Sequence, residues 1–204
     1  TLPGSRRAQN IETMTPQGRP RLNQEDAVRY FKAPYAELDF DKYPLYCLGI
    51  RGYYTKSMGD PTKNDLGIYD DAIFLIGKDL FLSFNANTDP AKVLRGSGSS
   101  KGTATLVPGQ YFCHTIDLHQ RRYPALCQRA GKVSVYRYKN DGTRWTDTGN
   151  FGINIHCGGT GNTNSEGCQT VHPYQWPEFI YTVVETITLT GWGKTVAPYL
   201  LIEY

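Results

Sequence analysis

Two residues that could carry out chemistry bracket a loop of small residues. His156 ends an alternating apolar and polar run at positions 153–156, and Cys168 follows a loop of Gly, Thr, Asn and Ser. An imidazole within reach of a thiol can take its proton, and the thiolate can attack a carbonyl carbon. Gly167 predicts a turn in which its own amide and that of Cys168 form an oxyanion hole, worth on the order of 3 kcal/mol per donor. Ser165 would bond the imidazole or shape the loop, and the pattern predicts acyl transfer through a thioester.

Other uses of the same residues stay open. His156, Cys157, Cys168 and His172 are four nitrogen or sulfur ligands, but structural zinc prefers short paired spacings such as Cys-X2-Cys, which this sequence lacks. We therefore expect neither a metal nor a cofactor. A disulfide between Cys157 and Cys168 would disable the thiol. Taken singly, His156 also fits a strand-end histidine bonded to a carbonyl, and Cys168 fits a small buried residue.

The five cysteines are an odd number. Cys113 and Cys127 could form a disulfide across a predicted pair of strands, and free buried thiols fit the sequence equally well. One cysteine would remain unpaired in any case, which is compatible with a reactive thiol. The adjacent acids Asp70 and Asp71 do not suit glycosidase chemistry, because neighbouring residues of a strand point to opposite faces.

The elements that must position these residues are mainly strands. Short runs rich in β-branched and aromatic residues alternate with Gly, Pro, Asn and Asp turns. These predicted strands cover residues 46–54, 68–75, 80–87, 103–107, 110–116, 132–138 and 197–202. One helix is predicted after an N-cap at Asn23. A second, amphipathic helix opens at His172 and Pro173. Its apolar positions are Trp176, Phe179, Ile180, Val183 and Val184.

This pattern predicts a flexible N-terminal arm over residues 1–22 and a single domain over residues 23–204. The domain should be mainly β, an antiparallel sandwich or barrel with one or two peripheral helices. The net charge of +3 is far short of a nucleic-acid-binding surface, so we expect no nucleic-acid partner. No apolar run approaches the ~20 residues of a membrane span, and no signal peptide or other export route is visible.

The motif at positions 155–168 resembles a known one. Ile-His, a Gly-rich loop and Ser-X-Gly-Cys are similar to the catalytic motif of the L,D-transpeptidases of the YkuD type. The runs at 67–74, 84–90 and 151–156 resemble prophage and effector-like, peptidoglycan-active relatives of that family. The resemblance covers about residues 45–185 and implies the L,D-transpeptidase fold.

The resemblance also implies roles for particular residues. His156 would be the base, and Cys168 would attack the carbonyl of the L-centre of the third residue of a peptidoglycan stem peptide. Ser165 and Gly167 would belong to the oxyanion-hole turn. Water would resolve the thioester in a carboxypeptidase or endopeptidase, and an amine would resolve it in a transpeptidase. We expect action in the bacterial periplasm or cell wall, as a phage lytic enzyme or as an antibacterial effector with an immunity or secretion partner.

Departures from the family's pattern leave the specificity open. Glu166 stands where the commonest motif has histidine, and Gln169 with Thr170 replaces a hydrophobic residue followed by Arg or Asn. We expect Asn154, Arg51, Gln169 and Thr170 to bind substrate. The alternative is a wall-binding or structural module without turnover. A papain-like protease is disfavoured because its cysteine precedes its histidine in sequence.

Overall fold

The computed structural model describes residues 11–32, 38–97, 100–188 and 193–204, which are built around a closed eight-stranded barrel. In chain order the described elements are a 3-10 turn at Ile11–Thr13, α1 at Gln24–Lys32, β1 at Tyr46–Arg51, β2 at Asp71–Gly77, β3 at Leu80–Asn87, β4 at Thr105–Leu106, β5 at Gly109–His119, β6 at Tyr123–Gln128, β7 at Val133–Tyr138, β8 at Arg144–Gly149, β9 at Ile155–Cys157, β10 at Gln169–Val171, α2 at Trp176–Thr188 and β11 at Val196–Glu203.

The barrel closes in the order β1, β11, β5, β6, β9, β10, β3, β2, and β4, β7 and β8 form a separate three-stranded sheet. This confirms the prediction of a mainly β fold with a barrel. The expectation of an antiparallel sheet is corrected at two places, because β1 pairs with β11 and β9 pairs with β10 in parallel. A parallel pair needs a crossover of about a dozen residues. The small-residue loop between β9 and β10 is that crossover.

Alternation along the strands divides the apolar residues between two clusters. In β2, Ile73 and Leu75 join the larger cluster, whereas Phe74 joins a second cluster on the other face. This is the period of two that a strand imposes on its side chains. Phe31 of α1 is fully buried in the second cluster, so α1 covers the outer face of β2 and its neighbours.

The helices form where capping residues and apolar spacing predicted them. The Oδ1 atom of Asn23 accepts the Asp26 amide at 2.8 Å at the start of α1, as an N-cap should. The second helix begins at Trp176, a few residues after the predicted opening. Its buried residues are Trp176, Phe179, Val183 and Ile187. In the described part of the chain, no helix combines the length and the apolar character that crossing a membrane would need.

The expected flexible arm is wrong for residues 11–22, while residues 1–10 lie outside the described part of the chain. Met14 is fully buried, and its carbonyl accepts the Tyr69 amide at 2.7 Å. The carbonyl of Pro20 accepts the Ser83 hydroxyl of β3 at 2.8 Å. The polar composition of this segment gave no sign of its two buried residues, Met14 and Pro20, or of the main-chain bonds that hold it along the barrel.

Candidate active site

Strands β9 and β10 bring the two chemically important residues to one cavity. Their parallel register pairs His156 with Thr170. Cys168 immediately precedes β10, two residues before Thr170. His156 and Cys168 both line a cavity of about 1090 Å³, so the structure brings the predicted pair together.

The Cys168 thiol is a neutral group in the resting protein. It donates to the Gly152 carbonyl at 3.2 Å and accepts the Asn154 amide at 3.4 Å. Burial is the main cause that raises the pKa of Cys168 to about 11; the Asn154 amide acts in the opposite direction, and Glu166 adds to the rise. A buried thiolate without a cation beside it is costly, so the proton stays on sulfur until a base removes it.

The main chain fixes the tautomer of His156. Its Nδ1 atom lies 2.8 Å from the carbonyl oxygen of Cys157. A carbonyl can only accept, so Nδ1 carries the proton, and Nε2 carries a lone pair. Burial, and then His119, lowers the pKa of His156 to about 4, while the Cys157 carbonyl acts in the opposite direction. The imidazole is therefore neutral near pH 7 and can accept a proton at Nε2.

Ser165 builds the turn that carries the nucleophile. Its hydroxyl donates to the Cys168 carbonyl at 2.6 Å and accepts the Gly167 amide at 3.0 Å. The expected oxyanion hole used the amides of both Gly167 and Cys168. This expectation is corrected for Gly167, because its amide already donates to the Ser165 hydroxyl oxygen. The Cys168 amide has no acceptor within the described ranges. It is the donor next to the thiol that remains available to a developing oxyanion.

The turn is wedged between two other segments of main chain. The Ser165 carbonyl accepts the Ala91 amide at 2.8 Å, and the Glu166 carbonyl accepts the Ala104 amide at 2.9 Å. Gly167 has a φ of +152°. A Cβ atom there would lie 2.6 Å from the Ala104 carbonyl oxygen, a distance that real Cβ contacts do not reach. Glycine is therefore required by the close approach of the backbone.

The predicted substrate-binding residues have mostly structural roles. Asn154 lines the cavity, but its side chain bonds the Gln128 amide at 2.9 Å and the His119 ring at 3.0 Å. Gln169 and Thr170 are fully buried and lie outside the cavity lining. The prediction that these two contact substrate is wrong, because both point away from solvent at the β9–β10 pairing.

Arg51 is also a structural residue. Its guanidinium is buried and pairs with Asp89 at 3.1 Å, and it donates to the Thr88 carbonyl at 2.8 Å. It does not line the cavity. The prediction that Arg51 binds substrate is therefore wrong. Burial inside the protein requires this charge to be paired, and its carboxylate partner lies 38 residues further along the chain.

The cysteines form no disulfide, and the described residues offer no metal site. All five cysteines are free thiols, so the disulfides considered for Cys113 with Cys127 and for Cys157 with Cys168 are not formed. Cys157 lines the same cavity as Cys168, with its thiol 3.4 Å from the Gly158 carbonyl. Over the described ranges, no three His, Cys, Asp or Glu side chains meet in a way that could hold a metal ion.

Sequence reasoning missed several residues of the cavity. His119 stacks on His156 with ring centroids 4.1 Å apart and 17° between the planes. Lys92, Arg122 and Arg137 bring positive charge to the wall. The signal for His119 was its place at the end of a strand, before the three-residue turn that leads into β6. Its partner His156 is 37 residues away, and only the barrel order makes them neighbours.

Neither protein-family models nor searches of curated proteins and of solved structures give a match to this chain. The cavity nevertheless holds a thiol, an imidazole with an unprotonated ring nitrogen, and a main-chain amide beside the thiol without an acceptor among the described residues. These are the groups that acyl transfer by a cysteine nucleophile requires.

Proposed function

We propose that this chain is a cysteine-dependent acyltransferase that acts on peptidoglycan stem peptides, in the manner of the L,D-transpeptidases, in the bacterial periplasm or cell wall. One observation carries the proposal: His156 of β9 and Cys168, the residue just before β10, line one cavity. The Ser-X-Gly-Cys motif at positions 165–168 and the preceding Ile-His support the substrate class.

The reaction begins when Sγ of Cys168 attacks the carbonyl carbon of the L-centre of a stem-peptide residue. Nε2 of His156 accepts the thiol proton as the carbon–sulfur bond forms, which a neutral imidazole can do. The carbonyl oxygen gains the negative charge and accepts a hydrogen bond from the Cys168 amide. Collapse of the tetrahedral intermediate breaks the amide bond, and the leaving amine of the D-residue takes the proton from His156.

The thioester is then resolved at the same carbonyl. Water, deprotonated by Nε2 of His156, gives a free acid in a carboxypeptidase or endopeptidase, whereas an amine gives a new amide in a transpeptidase. Either route returns the proton to the Cys168 sulfur. Lys92 and Arg122 line the cavity, and their charge suits the carboxylates of a stem peptide.

The test is digestion of purified sacculi followed by mass spectrometry of the muropeptides, with and without an added D-amino acid. We expect wild-type protein to release or exchange the residue after the L-centre, and Cys168→Ala to release nothing. Cys157→Ser is the matched control, because it removes the other thiol of the cavity and should retain activity. Identical products from wild type and Cys168→Ala, or no products from wild type, would refute the proposal.

A wall-binding module without turnover is the second candidate, and the resting protonation states favour it. A thiol with a pKa of about 11 beside an imidazole with a pKa of about 4 is not the thiolate–imidazolium pair of a highly activated cysteine. This candidate predicts that Cys168→Ala and wild type bind sacculi with equal affinity and that neither changes the muropeptides. An effector or phage lytic role would be shown by lysis of cells that receive the protein in the periplasm.

A further inference from the structure

A second imidazole lies flat against the proposed base. The ring of His119 is stacked on that of His156, with 4.1 Å between the centroids and 17° between the planes. His119 ends β5 and is only 7% exposed, whereas the residue before it, Leu118, is 43% exposed. Strand alternation therefore turns His119 toward the cavity that it lines.

Main-chain groups fix the tautomer of this second ring as well. The backbone amide of Gln128 donates to Oδ1 of Asn154 at 2.9 Å, which identifies that atom as the oxygen of the side-chain amide. The other atom, Nδ2, is a donor and lies 3.0 Å from Nδ1 of His119. Nδ1 of His119 is therefore the acceptor, and the ring proton sits on Nε2. The two stacked rings carry their protons on opposite nitrogens.

A strained turn holds His119 in place. Gln120 and Arg121 are the first two of the three residues between β5 and β6, with φ angles of 50° and 60°, and the Arg122 amide donates to the His119 carbonyl at 3.0 Å. Left-handed backbone at two consecutive non-glycine residues is uncommon and is kept where the surroundings require it. The turn sets His119 opposite Tyr123, whose hydroxyl lies 3.5 Å from Nδ1 of His156.

We propose that His119 is the positioning residue of the base: it holds the ring plane of His156 and keeps His156 unprotonated in the resting enzyme. This inference rests on the proposed function. An imidazolium at His156 would be buried face to face with a ring that Asn154 already holds, so protonation in the resting state is disfavoured. The Tyr123 hydroxyl and the Cys157 carbonyl face His156 directly. The cavity wall adds the Cys168 thiol, the Glu166 carboxylate and the cations of Lys92, Arg122 and Arg137.

The test compares His119→Phe with wild type in two measurements. Phenylalanine keeps a flat ring on His156 but removes both ring nitrogens, including the one that Asn154 holds, and with them the influence of His119 that lowers the pKa of His156. The acidic limb of the pH profile of kcat/KM reports the base of the free enzyme, and we expect it to move upward by about one pH unit in the variant. The same upward shift should appear in the NMR titration of the His156 ring, which is assignable because the chain has four histidines.

Controls separate positioning from loss of structure. His172→Gln removes a histidine outside the cavity lining and should leave the profile unchanged. His119→Gln, which can still accept from Asn154, should show the same upward shift as His119→Phe if the latter folds poorly. A uniform drop in kcat/KM with an unmoved acidic limb and an unmoved His156 titration would overturn the proposal. Absence of turnover in wild type would instead refute the proposed function, and the NMR titration would still decide whether His119 keeps His156 neutral.

Discussion

Replacing Gly167 with alanine should damage the turn that carries Cys168. The new Cβ would lie 2.6 Å from the Ala104 carbonyl oxygen, while an ordinary contact begins at 3.4 Å, so the two segments must separate by about 0.8 Å. The obstacle is main chain, and it is held by the 2.9 Å bond between the Ala104 amide and the Glu166 carbonyl. It cannot rotate away as the end of a flexible side chain would.

The expected magnitude has two parts. Overpacking and backbone strain each cost about 1–3 kcal/mol, so we expect the free energy of unfolding to fall by about 2–6 kcal/mol. In a chain of 204 residues this corresponds to a fall in Tm of about 4–24 °C. A nucleophile displaced by nearly 1 Å loses about 100-fold in rate, so turnover should fall by about that factor.

The assay combines thermal unfolding with the rate at which a thiol reagent labels Cys168. Gly161→Ala is the matched control, because no atom lies within 4 Å of its Cβ position. Gly152→Ala also has open space around it but a φ of +71°, so it measures backbone strain without the contact. If Gly167→Ala unfolds and reacts like Gly161→Ala, the turn is not held by Ala104 and the reasoning is refuted.

Three further changes test other parts of the structure. Ser165→Ala loses two hydrogen bonds and should lower the free energy of unfolding by about 1–3 kcal/mol, whereas Ser165→Thr should recover part of it in thermal unfolding. Arg51→Met leaves the buried Asp89 unpaired and should cost about 3–5 kcal/mol in chemical denaturation; lost turnover without lost stability would point to a substrate contact instead. Burial, and then Asp71, raises the pKa of Asp70 to about 8, so the folded chain holds a proton that the unfolded chain releases. Stability should therefore fall as pH rises from about 3.8 to about 8, and Asp70→Asn should flatten this slope; equal slopes would contradict it.

Much of the fold follows from local pattern. The alternation that predicted a strand at residues 132–138 is the consequence of one buried face, since β7 alternates between buried and half-buried positions. Strand β3 matches the predicted range 80–87. Strand β8 was not predicted, because its residues alternate only between exposed and half-buried positions and carry little apolar signal. Strand β10 has three residues, all buried, and is too short to show a period.

The residues of the candidate site also fall into two groups, those that local sequence spacing predicts and those that only the barrel brings together. His156 and Cys168 were found because they lie on either side of one loop, where local spacing is informative. His119 was missed because its contact with His156 exists only after β5, β6 and β9 become neighbours in the barrel. Arg51 was assigned to substrate because a charged residue is usually exposed. The local sequence gives no indication that its partner is Asp89.

The error over Gln169 shows how the barrel supports the site. Its Oε1 atom accepts the hydroxyl of Tyr199 at 3.0 Å, and its Nε2 atom donates to the Gly167 carbonyl at 3.2 Å. Tyr199 in turn lies over Gly49 of β1, where a Cβ would overlap the phenol ring. A chain of contacts thus runs from the opposite side of the barrel to the turn that carries Cys168. In the proposed reaction Cys168 must be held within about 0.5 Å of its working position, so we expect Gln169, buried beneath the turn, to act by supporting the turn and not by contacting substrate.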